Sequence, residues 1–120
     1  MPDFPRRDLA HRHLPLTEPV FQILLSLSDQ HLHGYAIIQD IRERTSGQVD
    51  LTASTLYAAV RRLLGAQLIQ ELKERPGDDD PRRRYYAITA RGLEVARLET
   101  ARLERTLRLA RQKRLTPRKA

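Results

Sequence analysis

The stretch Thr52-Ala53-Ser54-Thr55-Leu56-Tyr57-Ala58-Ala59-Val60-Arg61-Arg62-Leu63-Leu64-Gly65 has a helical period and two unlike faces. Thr52 makes a good N-cap, because its short hydroxyl side chain accepts from the free amides of a first turn. At 100° per residue, Leu56, Val60, Leu63 and Leu64 gather on one side, as a buried face requires. Ser54, Thr55, Ala58, Arg61 and Arg62 occupy the opposite arc, which holds no Asp, Glu or Lys, the residues an ordinary solvated face carries. Small residues let a helix backbone approach closely. Hydroxyls and first-turn amides hold phosphates, and arginine reaches a phosphate or both acceptors of a guanine edge. The pattern suits a helix that enters a DNA major groove. Arg62, on the exposed arc and late in the helix, is expected to hold a phosphate. Arg61 lies nearer the flank, as a phosphate contact or a solvated residue. Tyr57 stands on the border, either presenting its hydroxyl to DNA or closing the core.

Upstream, Thr17 reads as an N-cap with Glu18 and Pro19 in the first turn. Val20, Ile23, Leu24 and Leu27 follow at i, i+3, i+4 and i+7, predicting a helix that ends near Asp29 to His31. Gly34 opens a second helix in which Tyr35, Ile38 and Ile41 share a stripe beside Ile37, stopped by Ser46-Gly47. A short extended piece, Gln48 to Leu51, leads to Thr52. Downstream the period changes. Leu68 to Glu74 and Arg84 to Thr89 read as strands, joined through the polar Arg75-Pro76-Gly77-Asp78-Asp79-Asp80-Pro81-Arg82. Helical period returns from Thr89 to about Lys113. The expected fold is mainly α with a small β-hairpin wing: a winged helix-turn-helix plus a long C-terminal dimerisation helix. The division is an arm at 1–15, flexible or ordered only in a dimer; a winged-helix domain at 16–89; a dimerisation helix at 90–113; and a basic tail at 114–120.

On the wing, Arg82, Arg83 and Arg84 suit a DNA backbone or minor groove. Asp78, Asp79 and Asp80 would be repelled by phosphates, and are expected to pair with the arginines and keep the tip off the DNA. In the final helix, Leu93, Ala96, Thr100, Leu103, Leu107 and Ala110 are spaced 3, 4, 3, 4, 3, which is an a/d seam, while Val95, Leu98 and Leu109 widen the apolar surface. A single small domain covers both stripes poorly, so a homodimer is expected.

Composition removes other classes. The 120 residues suit one domain. With no cysteine there is no disulfide, thiol nucleophile or thiolate metal site. No apolar run approaches the roughly 20 residues of a membrane span, and the N-terminus lacks a signal core, so a cytoplasmic protein is expected. Arg111, Lys113, Arg114, Arg118 and Lys119 supply five of the seven net positive charges, a tail that attracts nucleic acid or any anionic surface. His11 and His13, and His31 and His33, form H-x-H pairs without a clear carboxylate partner. No phosphate loop or nucleophile motif is visible, and neither enzyme activity, metal nor cofactor is expected. The competing function is a winged-helix module that binds another protein instead of DNA.

Several short motifs resemble the PadR family of transcriptional regulators. They are His33-Gly34-Tyr35, Ser54-Thr55-Leu56-Tyr57, Arg62-Leu63, and Tyr85-Tyr86-Ala87-Ile88-Thr89-Ala90-Arg91-Gly92. The resemblance covers about residues 16 to 92. It implies a winged-helix homodimer that represses transcription from a palindromic operator and, as in many members, is released by a small-molecule effector. By position, Ser54, Thr55, Tyr57 and Arg62 would be the recognition-helix contacts. The short region after Gly92 looks like the branch with a small C-terminal domain. The chain has no tryptophan, and so departs from the multidrug-sensing branch, which stacks flat drugs on tryptophan.

Overall fold

A computed structural model describes residues 6–73 and 80–117. Three N-cap hydroxyls set the helix starts. Thr17 Oγ1 accepts from Val20 N, Thr52 Oγ1 from Thr55 N and Thr89 Oγ1 from Gly92 N, opening α2 (Glu18–Leu27), α4 (Ala53–Gly65) and α5 (Ala90–Gln112). Each such cap is worth about 1 kcal/mol. The helix α3 (Gly34–Arg44) is capped instead by His33, whose Nδ1 accepts from Ala36 N.

The core joins α2, α3 and α4 through Ile23, Leu24, Ile37, Ile41, Leu56 and Leu63, each no more than 1% exposed. The sheet is larger than the expected hairpin. β2 (Ile69–Glu71) and β3 (Tyr85–Ile88) pair antiparallel, and a further strand, β1 (Leu32–His33), pairs with the other edge of β3, giving the order β1-β3-β2. Two residues carry no periodicity of their own, and only pairing with Tyr85 and Tyr86 makes them a strand. The wing strands are shorter than expected, and Gln48 to Leu51 forms bends and irregular chain, not a strand. There Thr45 Oγ1 accepts from Val49 N, while Val49 and Leu51 pack on the core.

The arm carries a short helix: residues Arg6–His11 form α1 in the single chain, with Ala10 only 3% exposed within the core cluster. Beyond it the chain turns at Leu14-Pro15, where Leu14, Leu16 and Ala10 cover apolar surface that would otherwise be open. A second unanticipated feature is a polar knot between α2 and α3. Buried Ser26 donates to Asp40 Oδ2 at 2.7 Å, and Arg44 reaches Asp40, Ser26 and Gln22. Partial burial pushes the Asp40 carboxyl up, but the bonds from Arg44 and Ser26 outweigh it and hold it below its ordinary value. No helix among the described residues is long and apolar enough to cross a membrane.

Candidate nucleic-acid interface

The exposed arc of α4 is where the sequence places it. Thr52, Ser54, Thr55, Tyr57, Ala58, Arg61 and Arg62 are all exposed, while Leu56, Ala59, Val60 and Leu63 are buried. Thr52 Oγ1 also donates to Thr55 Oγ1 at 3.0 Å, so the cap and its neighbour form one small hydroxyl patch at the helix start. The side chains of Arg61 and Arg62 make no hydrogen bond or ion pair among the described residues.

The two arginines part company in space. Arg61 lines a cleft of about 520 Å³ between the start of α3, α4 and the wing, with Tyr35, Tyr57, Arg82, Arg83 and Arg84 around it. Arg62 lies on the other flank, where it lines a cavity of about 100 Å³ with His13, Leu16, Thr17 and Leu63. Consecutive residues differ by 100° on a helix, enough to put one beside the wing and the other beside the N-terminal segment.

Two motifs far apart in sequence meet in this cleft. A Cβ on Gly34 would lie 2.6 Å from Tyr57 Oη and 3.1 Å from Leu56 Cδ2. Only a glycine at the start of α3 lets Tyr57 lie across it. Tyr57 is thus both a packing residue and 45% exposed to the cleft. Tyr35, expected on the buried stripe of α3, is 62% exposed and stands in the same cleft. Its place in the first turn of α3 turns it toward the wing, while Ile37 takes the inner position with no exposure. His33 packs edge-on against Tyr85 with ring centroids 5.3 Å apart, which fixes the α3 start to the wing strand.

The wing arginines are already engaged. Asp80 accepts from Arg82 N at 2.9 Å and from Arg82 Nε at 3.3 Å, and Arg83 Nε lies 3.9 Å away. The Arg82 backbone amide, then its guanidinium, holds the Asp80 carboxyl below its ordinary value. Arg84 pairs with Glu71 across the sheet at 3.5 Å. Asp–Arg pairing therefore exists at Asp80; Asp78, Asp79 and Arg75 lie outside the described residues. Burial, and then the Glu71 carboxylate, push the Tyr86 phenol up.

The seam of α5 divides into two halves. Ala96 belongs to the chain's own core at 8% exposure, as does Val95 at none, while Leu93 and Leu98 are half-buried. Thr100 is exposed, with Oγ1 donating to Ala96 O. Beyond it Leu103, Leu107 and Leu109 are 42, 44 and 61% exposed, and Ala110 is half-buried. The apolar face left open is therefore the C-terminal half of the helix. The H-x-H pairs do not converge: among the described residues no three His, Asp or Glu side chains could hold a metal ion.

Three packed helices, the third with an exposed arc of small, hydroxylated and arginine residues, and an arginine-bearing wing define a winged-helix fold of the DNA-binding kind. Residues 23–98 match the transcriptional regulator PadR-like family, and the chain belongs to it. An uncharacterised protein of Lysinibacillus sphaericus is 33% identical over 89 residues, 72% of this chain and 74% of that one. A transcriptional regulator from Clostridium thermocellum is 25% identical, with a TM-score of 0.68 over 88% of this chain and 93% of that one. Bacillus subtilis PadR in complex with operator DNA has a TM-score of 0.59 at 20% identity, over 69% of this chain and 46% of that one. Members of the family are transcriptional regulators, not enzymes.

Proposed function

We propose that the chain represses transcription as a homodimer on a palindromic operator, with one α4 in each of two major grooves and each wing along the adjacent backbone. The carrying observation is the exposed arc of α4, small and hydroxylated at its start and continuous through Arg61 with a cleft rimmed by wing arginines. Ser54, Thr55 and Ala58 sit where groove-reading helices touch bases, near the N-terminal turns. Arg61 and the wing arginines hold phosphates, while Arg62, on the far flank, takes a lesser share. The Bacillus subtilis relative, which shares the fold and is bound to operator DNA, supports a DNA partner. A palindrome needs two reading heads related by a two-fold axis, and the open half of α5 offers the surface to join them. Release by a small-molecule effector and a cytoplasmic location complete the reading.

The test is fluorescence anisotropy with duplexes from the DNA flanking the gene, and scrambled duplexes of equal length, at several salt concentrations. Binding to one flanking duplex should fall steeply as salt rises, because phosphate contacts release counterions. Equal affinity for all duplexes would remove sequence recognition. No salt-dependent binding to any of them would leave the protein-binding winged helix as the better reading.

A further inference from the structure

The middle of α5 carries a buried acid for which groove contact has no use. Glu99 is 1% exposed. One carboxylate oxygen accepts the backbone N–H of Leu16 at 2.5 Å, and the other accepts from Arg102 Nε one turn further on. A buried carboxylate is costly unless both oxygens are satisfied, and here both are. Charge-assisted bonds of this kind are directional, where the packing of Val95 and Ala96 is not.

The position of this contact matters more than its strength. Leu16 directly precedes Thr17, the cap of α2, so the bond fastens α5 to the base of the reading head. Leu16 also lines the small cavity that Arg62 and Leu63 close at the end of α4. Toward its start, α5 is held by Gly92 against the Leu68 carbonyl and by Val95 and Ala96 in the core. Glu99 is the last buried residue of the helix. Beyond it no residue of the helix is buried, and Leu103, Leu107 and Leu109 lie open.

We propose that Glu99 is a positioning residue: it sets the angle between reading head and dimer helix, and so the half-site spacing that the dimer accepts. This rests on the dimeric DNA-binding reading above. From Glu99 to Gln112 the helix runs ~20 Å. A tilt of about 10° at Glu99 would move its far end by ~3.5 Å, roughly one base-pair step along a duplex. A helix held only by apolar contacts near its start has that freedom; a helix latched at Glu99 does not.

The chain lacks cysteine, so a single Ser28→Cys substitution on the exposed end of α2 takes one spin label per protomer. Pulsed electron paramagnetic resonance then reads the head-to-head distance in the full-length dimer. A narrow distribution is expected for the otherwise unaltered chain and for Glu99→Gln, whose amide oxygen still accepts from Leu16. At least a twofold broader distribution is expected for Glu99→Leu. Selection from a random duplex library should then return the same half-site for Glu99→Leu with several spacings in place of one. Glu99→Asp, which keeps the charge beside Arg102 but shortens its reach, carries the same expectations should the leucine variant fail to fold. An unchanged distance width in a dimeric Glu99→Leu or Glu99→Asp protein would overturn the latch alone. Absence of dipolar coupling in the unaltered chain would remove the dimer, and the latch with it.

Discussion

Single residues decide how closely the elements of this fold approach. Gly92 is the sharpest case: a Cβ there would lie 2.0 Å from the Leu68 carbonyl oxygen, a backbone atom that cannot swing aside. That carbonyl already accepts from Thr89 N, and Thr89 Oγ1 donates to Gln67 O, so the crossing of α5 over the α4–β2 turn is pinned from both sides. Gly92→Ala should therefore cost at least the ~1–3 kcal/mol of an overpacked site, read as a lower melting temperature with the fold retained. The two arginines of α4 give a second prediction. Arg61 faces the wing cleft and Arg62 the opposite flank. Arg61→Ala should weaken specific and random duplexes alike and flatten the log–log salt slope by about 1. Arg62→Ala should do so less; the reverse order would restore Arg62 as the principal phosphate contact, the role that the helical wheel favours.

Elements are held together by polar contacts that sequence periodicity does not display. Asp40 joins α3 to Ser26 of α2 with Arg44 bridging, and its carboxyl titrates below its ordinary 3.8. A carboxyl with a lowered folded-state value contributes stability above the unfolded value and loses it as pH falls through the folded one. Asp40→Asn should thus cost roughly 1 kcal/mol near neutral pH. Its deficit against the unaltered chain should shrink below about pH 4, followed by thermal unfolding across the acid range. On the wing, Asp80 occupies Arg82 and Arg83. Asp80→Asn should tighten binding to random DNA at low salt, where surface charges are least screened; unchanged binding would mean that the wing pair does not oppose phosphates. Much of this architecture is legible in the sequence, because Thr17, Thr52 and Thr89 are local signals that announce helix starts. β1 is not, since two residues have no period. Glu99 is not either: it sits in a charged run, and its partner Leu16 is 83 residues away. Tyr35 shows the limit of the wheel, which groups it with Ile38 and Ile41 although the first turn of α3 lies open to the cleft.

At the scale of the whole molecule, the a/d spacing of α5 shows that the helix has apolar stripes but not whose core they fill. Ala96 and Val95 enter the chain's own core, while Leu103 and Leu107 stay more than two-fifths exposed with a further exposed leucine at 109. Leaving such a stripe in water is unfavourable for a small domain, and the proposed pairing with a second copy would bury it. In a two-fold interface every residue occurs twice, so one substitution removes two contacts. Burying a leucine is worth about 1.5–3 kcal/mol. Completing the burial of a side chain already more than half covered recovers less, so Leu103→Glu should weaken the dimer by roughly 2 kcal/mol over both copies, about thirtyfold in Kd. The acid would add repulsion across the axis. Sedimentation equilibrium at tens of micromolar should show the unaltered chain above its 13.9 kDa monomer mass and Leu103→Glu or Leu107→Glu close to it. DNA affinity should fall with the dimer, because one head alone holds half of the phosphates. Circular dichroism should stay unchanged, since neither side chain belongs to the core. A monomeric unaltered chain would leave the exposed leucines without this partner and remove the palindrome from the proposed function.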